Sequence, residues 1–455
     1  MSAAPTPELQ DIQGLVARGY SDLSGARFLL LEIDDGAAGR SWLGGLAPML
    51  TTSDARPQEH AVNVALTSRG LAKLGVAPDV LELFALEFAG GMTTAHRRRM
   101  LGDVGPDAPE RWDWGGPVGP VDAVLLLYAH SEAALAALEA EQTSALPSGV
   151  RVVRTLHTSD QQGYEPFGFR DGISQPFVEG LSKQGPPAQT LRFGEFVLGY
   201  PNEHGHYTDD LLLERSPELG RNGTYLVFRQ LSQDVPGFWR FLDTATCRPD
   251  GSADANRRTH LAARLVGRWP SGAPLLLAPE ADDPALATAN DFVYHRQDPR
   301  GTRCPLGAHI RRANPRDTLD PRPGTDDSLR INRRHRILRR GREYGTPLSV
   351  EDALRPDGAE RAADERGLHF MCLNASIARQ FELVHFTWLN SPKFVGLYDD
   401  SDPIVGPSQP FGGTFTIQSE TLRERLTGMP RFVSVKGGAY FFMPGIAATQ
   451  HLAGL

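Results

Sequence analysis

The sequence predicts an α+β fold. Two observations carry that prediction: short apolar runs of strand type alternate with helix-like segments over the first 145 residues, and the same alternation returns after a Pro- and Gly-punctuated break. At 455 residues the chain exceeds a typical domain of roughly 150, so the expectation is a duplicated arrangement with a boundary near residue 148.

The elements follow in order. Arg27–Ile33 (RFLLLEI), bounded by Gly25 and Asp34-Asp35, reads as a strand, and residues 41–50 as a short helix. His60–Thr67 is a second strand leading into a helix over 68–74, with Ser68 as its cap. Asp122–Tyr128 is a third strand, and the Ala, Leu and Glu of SEAALAALEAEQ (131–142) make a helix. These are too few strands for a Rossmann sheet. Residues 106–120 form a Pro- and Gly-rich loop. Beyond the boundary, Gly223–Leu231 is a strand, Asp234–Leu242 a helix opened by Pro236, and Phe432–Met443 two short strands turning at Gly437-Gly438. The halves share a pattern of elements but no detectable residue identity. Cys304–Tyr344 interrupts the second half with loops and many arginines, and such insertions usually carry function.

Composition narrows the function classes. With 40% apolar and 22% charged residues the chain is of ordinary globular type. Its longest apolar run, Ala123–Ala129, is far short of the roughly 18 residues of a membrane span. The opening MSAAPTPEL lacks a basic region followed by an apolar core, from which no signal peptide or twin-Arg leader and a cytoplasmic location are expected. Cys247, Cys304 and Cys372 form no C-x-x-C pair, which argues against structural zinc and covalently attached c-type haem. A net charge of −8 argues against nucleic-acid or anionic-membrane binding by the surface as a whole.

One local exception stands out. Residues 303–342 hold twelve Arg and no Lys against four Asp, which suits forked recognition of carboxylate or phosphate as well as a solvated basic face. Within it, His309 lies in CPLGAHIRRANPRD after the small pair Gly307-Ala308. It reads either as an axial ligand to iron or as a satisfied core histidine, and His335, flanked by Arg334 and Arg336, as an exposed one. A second constellation is GFRDG (168–172) within YEPFGFRDGISQPF. Asp-Gly alone is a turn signal. Here Phe167, Phe169, Ile173 and Phe177 flank Asp171, so its carboxylate is expected to be desolvated and its pKa raised, as suits an acid–base group.

GFRDG with ISQP, CPLGAHIRRANPRD and ILRRGREYG together resemble the dye-decolorising type of haem peroxidase. The similarity extends from LQDIQGLVARGY through GLHFMCLNASIARQFELVHFTWLN to RFVSVKGGAYFFMPG, nearly the whole chain, in the form of the longer branch of that family. The resemblance implies two ferredoxin-like domains, 1–148 and 149–455, of the dimeric α+β barrel superfamily. It further implies haem b in the second, between sheet and helices. Residue by residue, His309 matches the proximal iron ligand, Asp171 the distal acid–base group and Arg339 the distal arginine, whose charge is expected to keep Asp171 ionised and offset its desolvation. Gly341 stands where compact members have Asn. Leu368 and Phe370 match distal apolar lining, Arg311 is the candidate propionate partner, and Glu382 the candidate carboxylate supporting His309.

The implied activity is reduction of hydrogen peroxide through a ferryl intermediate and oxidation of dyes, phenols or other one-electron donors. Trp388 and Trp239 are candidates to carry electrons from bulky donors, and Asp399–Asp402 reads as a solvated acidic loop or a manganese site. The resemblance leaves open whether the chain is a monomer or a homo-oligomer. Two alternatives remain at this point: a deferrochelatase-like or carrier role on the same fold, and an Arg-rich nucleic-acid or polyphosphate binder.

Overall fold

A computed structural model describes residues 5–181, 185, 189–355, 365–407, 409 and 411–455. The strands are β1 (Gly25–Ile33), β2 (His60–Leu66), β3 (Ala123–Ala129), β4 (Val150–His157), β5 (Phe177–Val178), β6 (Thr190–Leu191), β7 (Thr224–Gln233), β8 (Leu338–Arg339), β9 (Arg342–Tyr344), β10 (Gly367–Asn374), β11 (Gly413–Ile417), β12 (Glu424–Met429) and β13 (Val433–Met443). Two small sheets pair β5 with β6 and β11 with β12. The rest form one sheet ordered β4-β1-β3-β2-β13-β7-β10-β8, with β9 also on β10.

That order contains the same unit twice. In chain order, β1 to β4 stand as fourth, first, third, second, and so do β7, the β8/β9 edge, β10 and β13. This is the ferredoxin-like arrangement, and the halves join where Leu66 of β2 meets Phe442 of β13. The expected boundary near 148 falls inside the first half. β4 pairs along β1 from Val150 to His157, so this half runs to His157, and the punctuation near 148 is the turn into its last strand.

Local chemistry explains the elements. Asp35 caps the first helix by accepting from Ala37 and Ala38 amides, so it spans Gly36–Leu46 rather than 41–50, and Pro48 sits in the 3₁₀ turn that follows. The cap of Ser68–Leu74 is Thr67, whose hydroxyl takes the Gly70 amide, and Ser131 and Asp234 cap Glu132–Ser144 and Val235–Thr246. Phe432–Met443 is one strand, not two. Its glycines mark a bulge after Val435 and a close approach: a Cβ on Gly437 would stand 2.5 Å from Trp114 Nε1.

The sheet is curled. Phe28 of β1 meets Phe228 of β7 edge-on at 5.5 Å between ring centroids, although four strand spacings would hold them roughly 19 Å apart in a flat sheet. His369 of β10 closes the curl, its Nε2 lying 3.0 Å from the His157 carbonyl on β4. The inner face is an apolar core shared by both halves, including Phe28, Leu126, Phe228, Met371 and Phe441. The outer face carries the helices. Trp42, Leu43, Leu46, Leu135 and Leu138 seal it over the first half. Over the second, helices Val235–Thr246 and Ala255–Val266 make a separate core with Phe167, Phe169 and Phe432, and the sheet beside them stays partly open. Among the described residues no helix is long and apolar enough to cross a membrane.

Candidate active site

The open face belongs to β10 and its edge partners. Leu368 and Phe370 alternate with the buried His369 and Met371 and are only half-buried. Directly opposed residues share a face, and Arg339 opposes Cys372, which places its side chain with Leu368 and Phe370. Gln175 holds the strand end, donating to the Arg339 carbonyl (3.1 Å) and accepting from its amide (3.2 Å).

Asp171 is brought to Arg339 by a tight loop. Gly168 and Gly172 take positive φ, where a side chain would be strained. Inside the loop, Glu165 accepts from the Phe167 and Phe169 amides and from Gln233. Phe167 and Phe169 turn away from Asp171: Phe167 lies against Phe238 and Phe169 is stacked with Trp239. Arg339 Nη1 donates to both Asp171 oxygens, at 2.8 and 3.1 Å. Burial works to raise the Asp171 pKa, but the guanidinium charge, its hydrogen bonds and the Gly172 amide outweigh it, leaving the pKa below the usual carboxylate range. The rise expected from burial is therefore offset by Arg339, as the pairing of the two residues implied. Glu165, without a cation on it, is pushed by burial up to about 7.

His309 begins the short helix His309–Ala313, and its ring is 29% exposed. Its Nδ1 lies 2.9 and 3.0 Å from the two oxygens of Asp402, and no protein group among the described residues takes Nε2. Asp402 is fixed in turn by the Ile404 and Val405 amides. Burial lowers the His309 pKa, Asp402 raises it and prevails, and Arg339 and Asp171 lie close enough for their charges to act on the ring. The imidazole and the carboxylate–guanidinium pair thus lie near one another.

Several expected residues lie elsewhere. Glu382 does not support His309; it accepts from Arg97 Nε at 3.0 Å and Tyr440 hydroxyl at 2.9 Å. Asp402 holds the ring instead because the segment after Leu397 folds back over it. Arg311 is 1% exposed, its guanidinium bonded to Asp298 and the Cys304 carbonyl, so it cannot reach a cofactor carboxylate. Trp239 and Trp388 are buried, and His335 is half-buried, with Nδ1 on the Arg379 carbonyl. Asp399–Asp402 is not a solvated loop, since Asp400 and Asp402 are buried and bonded within the chain. The described residues contain no cluster of three or more His, Cys, Asp or Glu able to hold a metal.

The arginine run is mostly internal bracing. Arg312 bonds the carbonyls of Trp388, Leu389, Ser391 and Asp400, and Arg340 those of Leu15 and Val16. Arg336 differs. It donates to the Ser174 carbonyl at 2.8 Å, and burial together with the charges of Arg316, Arg339 and Arg333 pushes its pKa down to about 9. The pocket therefore carries surplus positive charge beside an apolar wall and an imidazole with a free Nε2. A planar iron porphyrin with two carboxylates matches that donor set. Asp402, Gln175, Glu165 and Arg336 were missed as site residues, although the last three lie inside or beside the motifs singled out in the sequence.

No family model matches the chain. It is 31% identical to Peroxidase 2 of Mycetinis scorodonius over 97% of this chain and 87% of that protein. It is 31% identical to a dye-decolorizing peroxidase of Mycena epipterygia, over 94% and 83%. The structure of a dye-decolorizing peroxidase in complex with 2,6-dimethoxyphenol superposes with a TM-score of 0.82 at 28% identity, covering 98% of this chain and all of that one. These relatives place the chain among the haem peroxidases, oxidoreductases that work with a haem cofactor. Within that class, the chain belongs to the dye-decolorizing peroxidase family.

Proposed function

We propose that the chain reduces hydrogen peroxide with Asp171 as the acid–base group, Arg339 as the charge stabiliser and His309 as the iron ligand, the cofactor being haem b. The observation that supports this reading is the Asp171–Arg339 pair on a half-open sheet face, set against an imidazole whose Nδ1 is held by Asp402. His309, Arg336, Leu368 and Phe370 would hold the group through Nε2, a propionate and the apolar wall. When bound, haem supplies the electrons that cleave the O–O bond and accepts replacements from a donor.

The chain's own residues move the protons. Asp171, ionised because of Arg339, takes the proton from one oxygen of peroxide and returns it to the other, which leaves as water. Arg339 stabilises the negative charge that develops as the bond stretches. Asp402 accepts the Nδ1–H of His309, which fixes the tautomer, leaves Nε2 for iron and makes the imidazole a stronger electron donor. Small phenols and dyes are the expected reductants, as 2,6-dimethoxyphenol is the ligand of a structural neighbour.

The nucleic-acid reading required an exposed basic face; most of the arginines are instead engaged inside the protein, and the exposed Arg322 and Arg330 are both paired with Asp327. The haem-carrier reading is separated by experiment. Absorbance of the haem-loaded protein before and after one equivalent of peroxide is expected to change and to return when a phenol is added. Asp171→Asn is expected to keep the haem and lose that response, and an unaltered response would favour the carrier.

A further inference from the structure

Peroxide reduction consumes protons inside an enclosed pocket, and the inference that follows rests on that proposed activity. The β10 ladder pairs Arg339 with Cys372 and Glu343 with Leu368 in one continuous register. Arg339 and Glu343 therefore share the pocket face, roughly 13 Å apart along the edge at about 3.3 Å per residue. Between them on that face stands Gly341, which has no side chain, and a Cβ there would lie 2.6 Å from the His369 carbonyl. Gly341 thus places no side chain of its own between Glu343 and the Arg339–Asp171 pair, and in the same register Phe370 of β10 stands directly across from it.

Glu343 is half-buried, and its carboxyl is bonded to no other side chain among the described residues. Its carbonyl accepts from the Ser159 amide at 2.8 Å, seating over it the segment that ends at Asp171. The charges that face it are Asp171 and Asp160 from that segment and Arg342 from its own strand, while β10 offers only Leu368. Arg342 is turned to the carbonyls of Gly19, Tyr20 and Leu23. Burial, first, and the two aspartates push the Glu343 pKa up to about 7.

We propose that Glu343 is the proton station of this pocket, exchanging protons with solvent at the rim and passing them through water to Asp171 on the same face. Converting one peroxide to two waters takes up two protons and two electrons. The reductant supplies the electrons. Each proton leaves the Glu343 carboxyl, is carried by water to the Asp171 carboxylate, and Glu343 is reprotonated from solvent. Glu343 acts through Asp171, as a positioning residue for the proton.

The test compares Glu343→Gln and Glu343→Asp with wild type. In the purified protein without peroxide, Glu165 and Glu343 both contribute carboxyl C=O intensity titrating near pH 7, so in a Glu165→Gln background infrared spectroscopy is expected to show one such band that adding Glu343→Gln removes. In the haem-loaded enzyme, Glu343→Gln is expected to consume peroxide roughly tenfold more slowly and to lose the inflection near neutral pH, with Glu343→Asp recovering most of both. A wild-type pH profile in Glu343→Gln, persistence of the band, or failure of Glu343→Asp to recover the inflection would overturn the relay. A wild type that consumes no peroxide would overturn the peroxidase reading itself, whereas an active wild type matched by Glu343→Gln would overturn only the relay.

Discussion

The two halves of the sheet share one strand order and differ on their outer faces. In the first, every residue of β3 is buried, and the helices bearing Trp42 and Leu135 close the surface. In the second, the equivalent face of β10 keeps Leu368 and Phe370 half-buried, and arginine rather than leucine comes from the edge strand. The comparison teaches that the repeated unit supplies a sheet with two usable faces, and the proposed chemistry uses the one its helices leave unsealed. The sealed half supplies stability, and its inner face braces the open half through Phe28 and His369.

The largest expected effect tests the open half. His309→Ala is expected to abolish stable haem retention, read from absorbance per mole of protein, and Asp402→Asn to weaken it roughly 10–100-fold. Equal haem content in both variants and wild type would reassign the ligand. Next, Asp171→Asn is expected to slow peroxide consumption by roughly 10²–10⁴-fold at unchanged haem content. Arg339→Gln sharpens this further. It removes the charge that holds the Asp171 pKa down and leaves the burial that raises it, so the acid limb of the pH–rate profile is expected to move to higher pH.

A third pair sets the halves against each other. Leu127→Ala, fully buried beneath the helices on the outer face of the first half, is expected to cost roughly 2–5 kcal/mol in denaturant unfolding, and Phe370→Ala, half-buried at the open wall, clearly less. Equal losses would erase the distinction between a sealed and an open half.

The smallest effect is a slope. Burial raises the Glu165 carboxyl from 4.5 to about 7, so the folded chain holds that proton more tightly than the unfolded one. The contribution is complete below about pH 4.5 and is lost as pH rises through about 7, and Glu165→Gln is expected to flatten stability against pH there by roughly 1–3 kcal/mol. Thermal unfolding across that range checks it.

Much of the fold was legible because local patterns and tertiary demand agree. RFLLLEI, HAVNVALT and SEAALAALEAEQ are buried strands and a capped helix, as read. The reading failed where one signal serves two purposes. Gly437-Gly438 looked like a turn and is a bulge that admits Trp114, and the Pro-Gly stretch near 148 looked like a boundary and is the turn into β4. At the site, the motifs around Asp171, His309 and Arg339 stood out. Asp402 stood out only within an acidic loop and not as the partner of His309, because it lies 93 residues away and only the folded chain brings them together.

By itself the sequence determined the strand and helix units, their repetition, and the residue types able to hold iron and move protons, because periodicity and short motifs are local. Tertiary structure alone decided which carboxylate supports His309, and which arginines brace the chain and which face the pocket. Those outcomes depend on burial and on charges brought together from distant segments, and no stretch of sequence contains both partners.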